Sequence, residues 1–175
     1  MGRVKTISSA ETMFPRVIMA VGVIIMTNDG KVLIVQETRD KPAADRMAGD
    51  WTFPVETLEK GESLVEGVSR LIFEEVGDIK YGFSPKRDWI GDYNVNSLEK
   101  PVWGRVYLLH VEGMAEEFTG LRSVNDEVIN HRWVLPRALR TYSRRKGVDE
   151  PLTDFLNGRR EVICWQCGPA ERWPE

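Results

Sequence analysis

Apolar and polar positions divide this chain into strand-like runs on either side of one strongly marked helix. From Val17, the run VIMAVGVIIMT is apolar and rich in β-branched residues, Asn28-Asp29-Gly30 breaks it, and KVLIVQE resumes it. Two apolar runs around an Asp-Gly turn predict a β-hairpin over 17–37. The polar, mixed residues 1–15 ahead of it predict a loose arm. Residues 38–50, TRDKPAADRMAGD, mix charge with small side chains. That composition predicts a surface loop on the substrate side, able to close over a ligand. Trp51-Thr52-Phe53-Pro54 reads as a short strand stopped by proline, and the residues from Val55 to Glu62 as loop.

Ser63 to Val76 is the helix. Ser63 with Glu66 makes a capping box, and Gly77 supplies the stop. Strand-like segments follow at 88–95, 102–113 and 128–135, the last entered from the acidic loop Asn125-Asp126-Glu127. Pro136 and the residues after it predict a helix start, and the basic SRRKG at 143–147 a solvated break. The segment 150–158 predicts a final short helix with Pro151 in its first turn. The pattern as a whole predicts a mixed α/β fold, a mostly β core with flanking helices, in one domain over 16–175.

Composition narrows the function classes. A net charge of −3 over 175 residues gives no general attraction to nucleic acid or to anionic membranes. Arg137, Arg140, Arg144, Arg145 and Lys146 form a local basic stretch, read as a solvated face. No apolar run approaches the roughly 20 residues that span a bilayer. The first residues lack the apolar core of a secretory signal, so the expected location is cytoplasmic. The two cysteines, Cys164 and Cys167, form a lone CxxC. Idle thiols are the expectation, with a redox pair or half of a zinc site as the alternatives, and His110 and His131 are not spaced to complete such a site.

The helix carries an acid out of place. At about 100° per residue, Val65, Val68, Leu71, Ile72 and Val76 fall on one broad side and Glu66 and Arg70 on the other. Glu74 lies at the border, and Glu75 projects inward between Leu64 and Val68. A carboxylate there loses several kcal/mol of hydration unless an arginine, backbone amides, solvent at the helix end or a metal ion compensates it. Glu74 adds a second negative charge at a helix C-terminus, where the dipole favours cations. A divalent cation would relieve both, and oxygen-rich acidic sites that also contact phosphates suit Mg²⁺.

The stretch Glu62, Arg70, Ile72, Glu74, Glu75, Gly77 resembles the Nudix box, and the similarity extends over about residues 17–140. The resemblance implies a Nudix-like fold, a mixed β-sheet core sandwiched by helices. It implies Mg²⁺- or Mn²⁺-assisted attack of water on a diphosphate joined to another group, often a nucleoside. Carried onto this chain, it assigns metal ligation to Glu74, Glu75 and Glu127, with Glu56 at the position of the box's first glycine. Glu74 or Glu127 would be the base, and Glu62 with Arg70 would orient loop against helix. The chain departs from the pattern at Glu56, at Asp78 and at Leu71, which replaces an acid that is commonly a metal ligand or the base.

The competing reading is a Nudix-like domain that binds a nucleotide or macromolecule without cleaving it, because Leu71 and Glu56 weaken the box. A redox or zinc module on Cys164 and Cys167 is the third class. Trp89, Tyr93, Trp103 and Phe14 are candidate base-stacking residues, against the simpler reading of core packing. The expected partner is a small diphosphate compound, without membrane or nucleic acid, and the resemblance leaves a homodimer open.

Overall fold

Strands β1 (Ala20–Met26) and β2 (Val32–Glu37) form the hairpin that the Asp-Gly turn predicts, with Gly30 at φ 72° and the Thr27 N–H donating to Lys31 O at 3.0 Å. The computed structural model describes residues 18–40, 47–95, 102–145, 147–158, 163–164 and 168–169. The arm with Phe14, most of the 41–50 segment, Lys146 and Cys167 lie outside the described residues. Cys164 belongs to a two-residue strand, Ile163–Cys164, paired with Gly168–Pro169.

β1 is central. Along its whole length it pairs in parallel with β6 (Trp103–His110), and β6 pairs antiparallel with β5 (Trp89–Asn94). β2 pairs antiparallel with β7 (Val128–Val134) and with β3 (Trp51–Thr52). Val55–Thr57, which reads as loop in sequence, is a strand, β4, registered Val55 to Gly22 and Glu56 to Val21 on β1. Three residues are too few to show an alternating pattern. The strand forms because β1 and β2 diverge beyond Met26–Val32, and β4 supplies partners for the backbone groups this exposes.

Alternation along β1 divides the core. Ala20 and Ile24 face one cluster; Val21, Val23 and Ile25 face the other. The second cluster is closed by helix α1 (Leu64–Leu71) through Val68 and Leu71 and by Ile72 and Val76 beyond it, all at 2% exposure or less. The first is closed by a 3₁₀ segment, Pro136–Thr141, through Leu139, and by helix α2 (Asp149–Leu156) through Leu152. Helices therefore cover both faces of a mixed sheet. Gly67 lets α1 lie close on that sheet, since a Cβ there would collide with the Leu58 side chain and stand 3.4 Å from Val21 Cγ2. Val65, expected on the buried side, is 47% exposed: it sits in the first turn, ahead of the face set by Gly67, Val68 and Leu71.

The basic 143–147 segment also departs from expectation. The Trp51 N–H donates to Ser143 O at 2.9 Å and the Arg145 N–H to Trp51 O at 3.1 Å, so the segment runs beside β3 as a further strand-like edge. That pairing turns Arg144 outward to Asp149, at 2.6 Å, and Arg145 inward. Arg145 is 4% exposed, with its guanidinium 3.8 Å from the equally buried Glu37 carboxylate. A run of basic residues reads as solvated because the pattern carries no sign of the buried acid on β2. Among the described residues, no helix is long and apolar enough to cross a membrane.

Candidate active site at the end of the central helix

The capping box forms as the sequence predicts: the Glu66 N–H donates to Ser63 Oγ, and the Ser63 N–H to the Glu66 carboxylate at 2.9 Å. The other end does not stay α-helical. After Leu71 the chain makes one π turn, Ile72–Val76, closed by the Gly77 N–H donating to Ile72 O at 2.9 Å. Residue types cannot reveal this, because the wider turn is a matter of hydrogen-bond register. Single π turns recur at functional sites. Here the turn sets Phe73 outward at 62% exposure, Glu74 at the border with a side chain 33% exposed, and Glu75 inward at 3%.

Arg70 gathers the acids on the outer flank. Its guanidinium donates to both Glu62 oxygens at 2.8 Å and to Thr57 O at 2.8 Å, and stands 3.5 Å from Glu74 Oε2. Hydrogen bonding to Glu62 raises the Arg70 pKa further, and the charges of Glu56 and Glu74 act in the same direction. Glu62 is committed to this arrangement, also accepting from the Glu59 N–H at 2.8 Å. These bonds join the loop ahead of α1 to the helix.

The Arg70 hydrogen bonds hold the Glu62 carboxyl at about 2, below its ordinary 4.5. A depressed carboxylate contributes stability that is present above its unfolded pKa and is lost as pH falls through the folded one. The term is on the order of 2–3 kcal/mol and should disappear between roughly pH 4.5 and pH 2. Urea unfolding at pH 6 and pH 3 should show that loss in the native protein and a flatter dependence in Glu62→Gln.

The carbonyls at the end of a helix lack partners within it. Glu74 O accepts the Val124 N–H at 2.8 Å, with the Ser123 hydroxyl 2.9 Å away. Glu75 O lies 2.6 Å from His131 Nε2. A carbonyl only accepts, so Nε2 carries the ring hydrogen, and burial lowers the His131 pKa, favouring the neutral ring. Gly77 permits this approach twice over. It adopts φ 98°, and a Cβ there would stand 2.8 Å from Arg122 O.

Glu127 is half-buried in the loop that enters β7. Its N–H donates to Asn125 Oδ1 at 3.1 Å, and its carbonyl accepts the Thr38 N–H at 2.8 Å. Glu56 lies on β4, where its carboxylate accepts the Thr57 N–H at 2.8 Å. Leu71 is fully buried in the core cluster, so the place of the missing acid is filled with hydrocarbon. Tyr93 is buried, with its hydroxyl 3.2 Å from Asp154, and Trp89 lies under the Arg105 guanidinium, so both are taken up in packing.

Among the described residues, no three of His, Cys, Asp and Glu converge as a ready-made cation cage. Glu74 and Glu75 are adjacent carboxylates on the π turn, the donor type that Mg²⁺ and Mn²⁺ prefer, while Glu56 lies on β4 and Glu127 in the loop entering β7. Such a donor set fits a cation held by one or two carboxylates and completed by substrate phosphate and water. Ser123 and His131 were not legible as part of the site. Their contribution is to backbone carbonyls, which leaves no spacing signature.

A family model described as the NUDIX domain matches residues 17–156. Among solved structures, the MutT protein from Methanosarcina mazei Go1 is 22% identical with a TM-score of 0.60, covering 81% of this chain and 94% of that one. A C. elegans Ap4A hydrolase is 19% identical at TM-score 0.59, over 81% and 99% of the two chains. The NUDIX domain of Shewanella oneidensis NrtR, solved with ADP ribose, is 14% identical at 0.58, over 87% and 99%. No curated protein matches the sequence. The overall fold is shared with these structures, and the domain model spans well over half of the sequence, so the chain belongs to the NUDIX family.

Proposed function

We propose that this protein is a divalent-cation-dependent hydrolase that cleaves the diphosphate linkage of a nucleoside diphosphate joined to a further group. The observation that carries the reading is Glu75, a carboxylate 3% exposed at a helix end with Glu74 beside it. The helix dipole favours positive charge at that pole, which a divalent cation between the two carboxylates would supply. Solved relatives described with ADP ribose or as an Ap4A hydrolase support the substrate class. A cytoplasmic setting belongs to the same proposal.

Glu74 and Glu75 would hold Mg²⁺ or Mn²⁺, with Glu127 approaching from the late loop. When bound, the cation supplies neutralisation of phosphate charge and a lower pKa for water. The chain's own residues do the rest. Arg70 and Glu62 fix the loop against α1, so the acids keep their places as substrate enters. Glu74 or Glu127 accepts the proton of the attacking water, because Leu71 offers no acid in the position the family uses.

Leu71 also favours a second reading, a binding module that retains nucleotide without cleaving it. The two separate in one assay: a panel of nucleoside diphosphate derivatives, nucleoside triphosphates and dinucleoside polyphosphates with Mg²⁺ or Mn²⁺. Cation-dependent release of a nucleoside monophosphate is the expected result. Metal-indifferent nucleotide binding with no turnover across the panel would establish the binding module instead.

A further inference from the structure

The geometry points to a clasp, made by Ser123, Val124 and His131 on the carbonyls of Glu74 and Glu75, that sets the position of Glu127 relative to the paired acids. None of the three clasp residues lies in the helix or near it in sequence. The Val124 N–H donates to Glu74 O at 2.8 Å, and His131 Nε2–H donates to Glu75 O at 2.6 Å. The two carbonyls are consecutive, so the π turn is held at two points from outside.

The loop side of the clasp is tied to Glu127. The single hydroxyl hydrogen of Ser123 lies within reach of Glu74 O at 2.9 Å, Asn125 O at 2.7 Å and Asn125 Oδ1 at 2.8 Å. Asn125 Oδ1 in turn accepts the Glu127 N–H, and Glu127 O accepts the Thr38 N–H. The Ser123 hydrogen can serve only one of the three at a time, so the link to Glu127 rests on the Val124 N–H bond to Glu74 O together with the Asn125 Oδ1 bond from the Glu127 N–H, one residue further along the same loop. His131 closes it from the strand that Glu127 enters, four residues further on. Gly77 belongs to the device, because its bare α-carbon lets the Arg122 carbonyl pass at the mouth of the turn.

Donors on these carbonyls do two things at once. They satisfy orphan acceptors at the helix end, and they offset part of the negative pole beside which the Glu74 and Glu75 side chains sit. Ser123 and His131 are accordingly positioning residues, which act through Glu74, Glu75 and Glu127. The use of the clasp in hydrolysis rests on the function proposed above, but the clasp itself is a property of the fold.

The test compares His131→Leu, His131→Gln and Ser123→Ala with the native protein by residue-resolved amide hydrogen exchange and by Mn²⁺ titration. In His131→Leu, exchange at Val124, Glu127 and Thr38 should rise at least about tenfold while β1 and β6 amides stay protected, the pattern of local opening. Ser123→Ala should raise exchange at the same amides to a smaller extent, because the Val124 N–H remains. His131→Gln, which keeps a donor, should restore most of the protection. Mn²⁺ affinity should fall at least about fivefold in His131→Leu and recover in His131→Gln.

Unchanged exchange at the three amides, or a uniform rise that includes β1 and β6, would overturn the clasp. If the native protein binds no Mn²⁺, the metal-dependent function falls, while the exchange comparison still decides the clasp on its own.

Discussion

Arg70→Met should lower stability by about 2–3 kcal/mol, a fall of roughly 5–10 °C in thermal midpoint for a chain of this size. The side chains of Arg70 and Glu62 are only 20% and 11% exposed, so water can replace little of what the guanidinium supplies. Methionine retains the stem but leaves Glu62 with only the Glu59 N–H, and takes the guanidinium from Thr57 O and the flank of Glu74. Removing one partner of a largely buried pair exposes the uncompensated charge of the other, which is why the effect exceeds that of an ordinary surface ion pair. Adding Glu62→Gln to Arg70→Met should recover part of the loss, because no carboxylate then remains to be buried alone. Arg70→Lys should fall between, since an ammonium cannot span both Glu62 oxygens. Differential scanning calorimetry on the four proteins reads all of this. A double variant less stable than Arg70→Met would show that the Glu62 carboxylate is held by the Glu59 N–H more strongly than its burial penalises it.

Glu75→Gln should reduce cation-dependent turnover by at least ~100-fold, about 2.7 kcal/mol of barrier, while leaving the fold intact. The substitution preserves shape and removes only the charge. The alternative considered from the sequence, a carboxylate buried for structural ion pairing, predicts the opposite division: lost stability as the primary defect, with turnover falling only as far as folding does. Measuring kcat and the urea midpoint on the same samples separates them. Leu71 gives the result added weight. With no acid at that position and hydrocarbon packed around it, Glu75 has no neighbouring carboxylate one turn earlier to take over.

The elements that frame the candidate site are partly legible in the sequence, for physical reasons that can be named. The hairpin was legible because Asp29-Gly30 sits between two β-branched runs, and α1 because its cap and apolar stripe agree. The inward projection of Glu75 followed from helical geometry alone. The α-to-π change did not, since the 3.6-residue stripe predicts the same residues inside either way until the turn ends. β4 was missed because three residues set no period. Arg145 was misread because a cluster of basic residues looks solvated until the fold brings Glu37 beneath it. In the sequence, His131 invites only the question of zinc ligation. Its hydrogen bond to a backbone carbonyl depends on β7 passing the helix end, a long-range fact that no local pattern encodes.

The central claim is that the Glu74–Glu75 turn holds a divalent cation whose shell the substrate completes. Calorimetric titration of Mn²⁺ into the native protein and Glu75→Gln, with and without a non-hydrolysable nucleoside diphosphate derivative, tests it most directly. The account predicts weak binding by the native protein alone, tightening of at least about tenfold with the diphosphate present, and loss of both in Glu75→Gln. Equal Mn²⁺ binding by the two proteins, or binding that the diphosphate leaves unchanged, would contradict it.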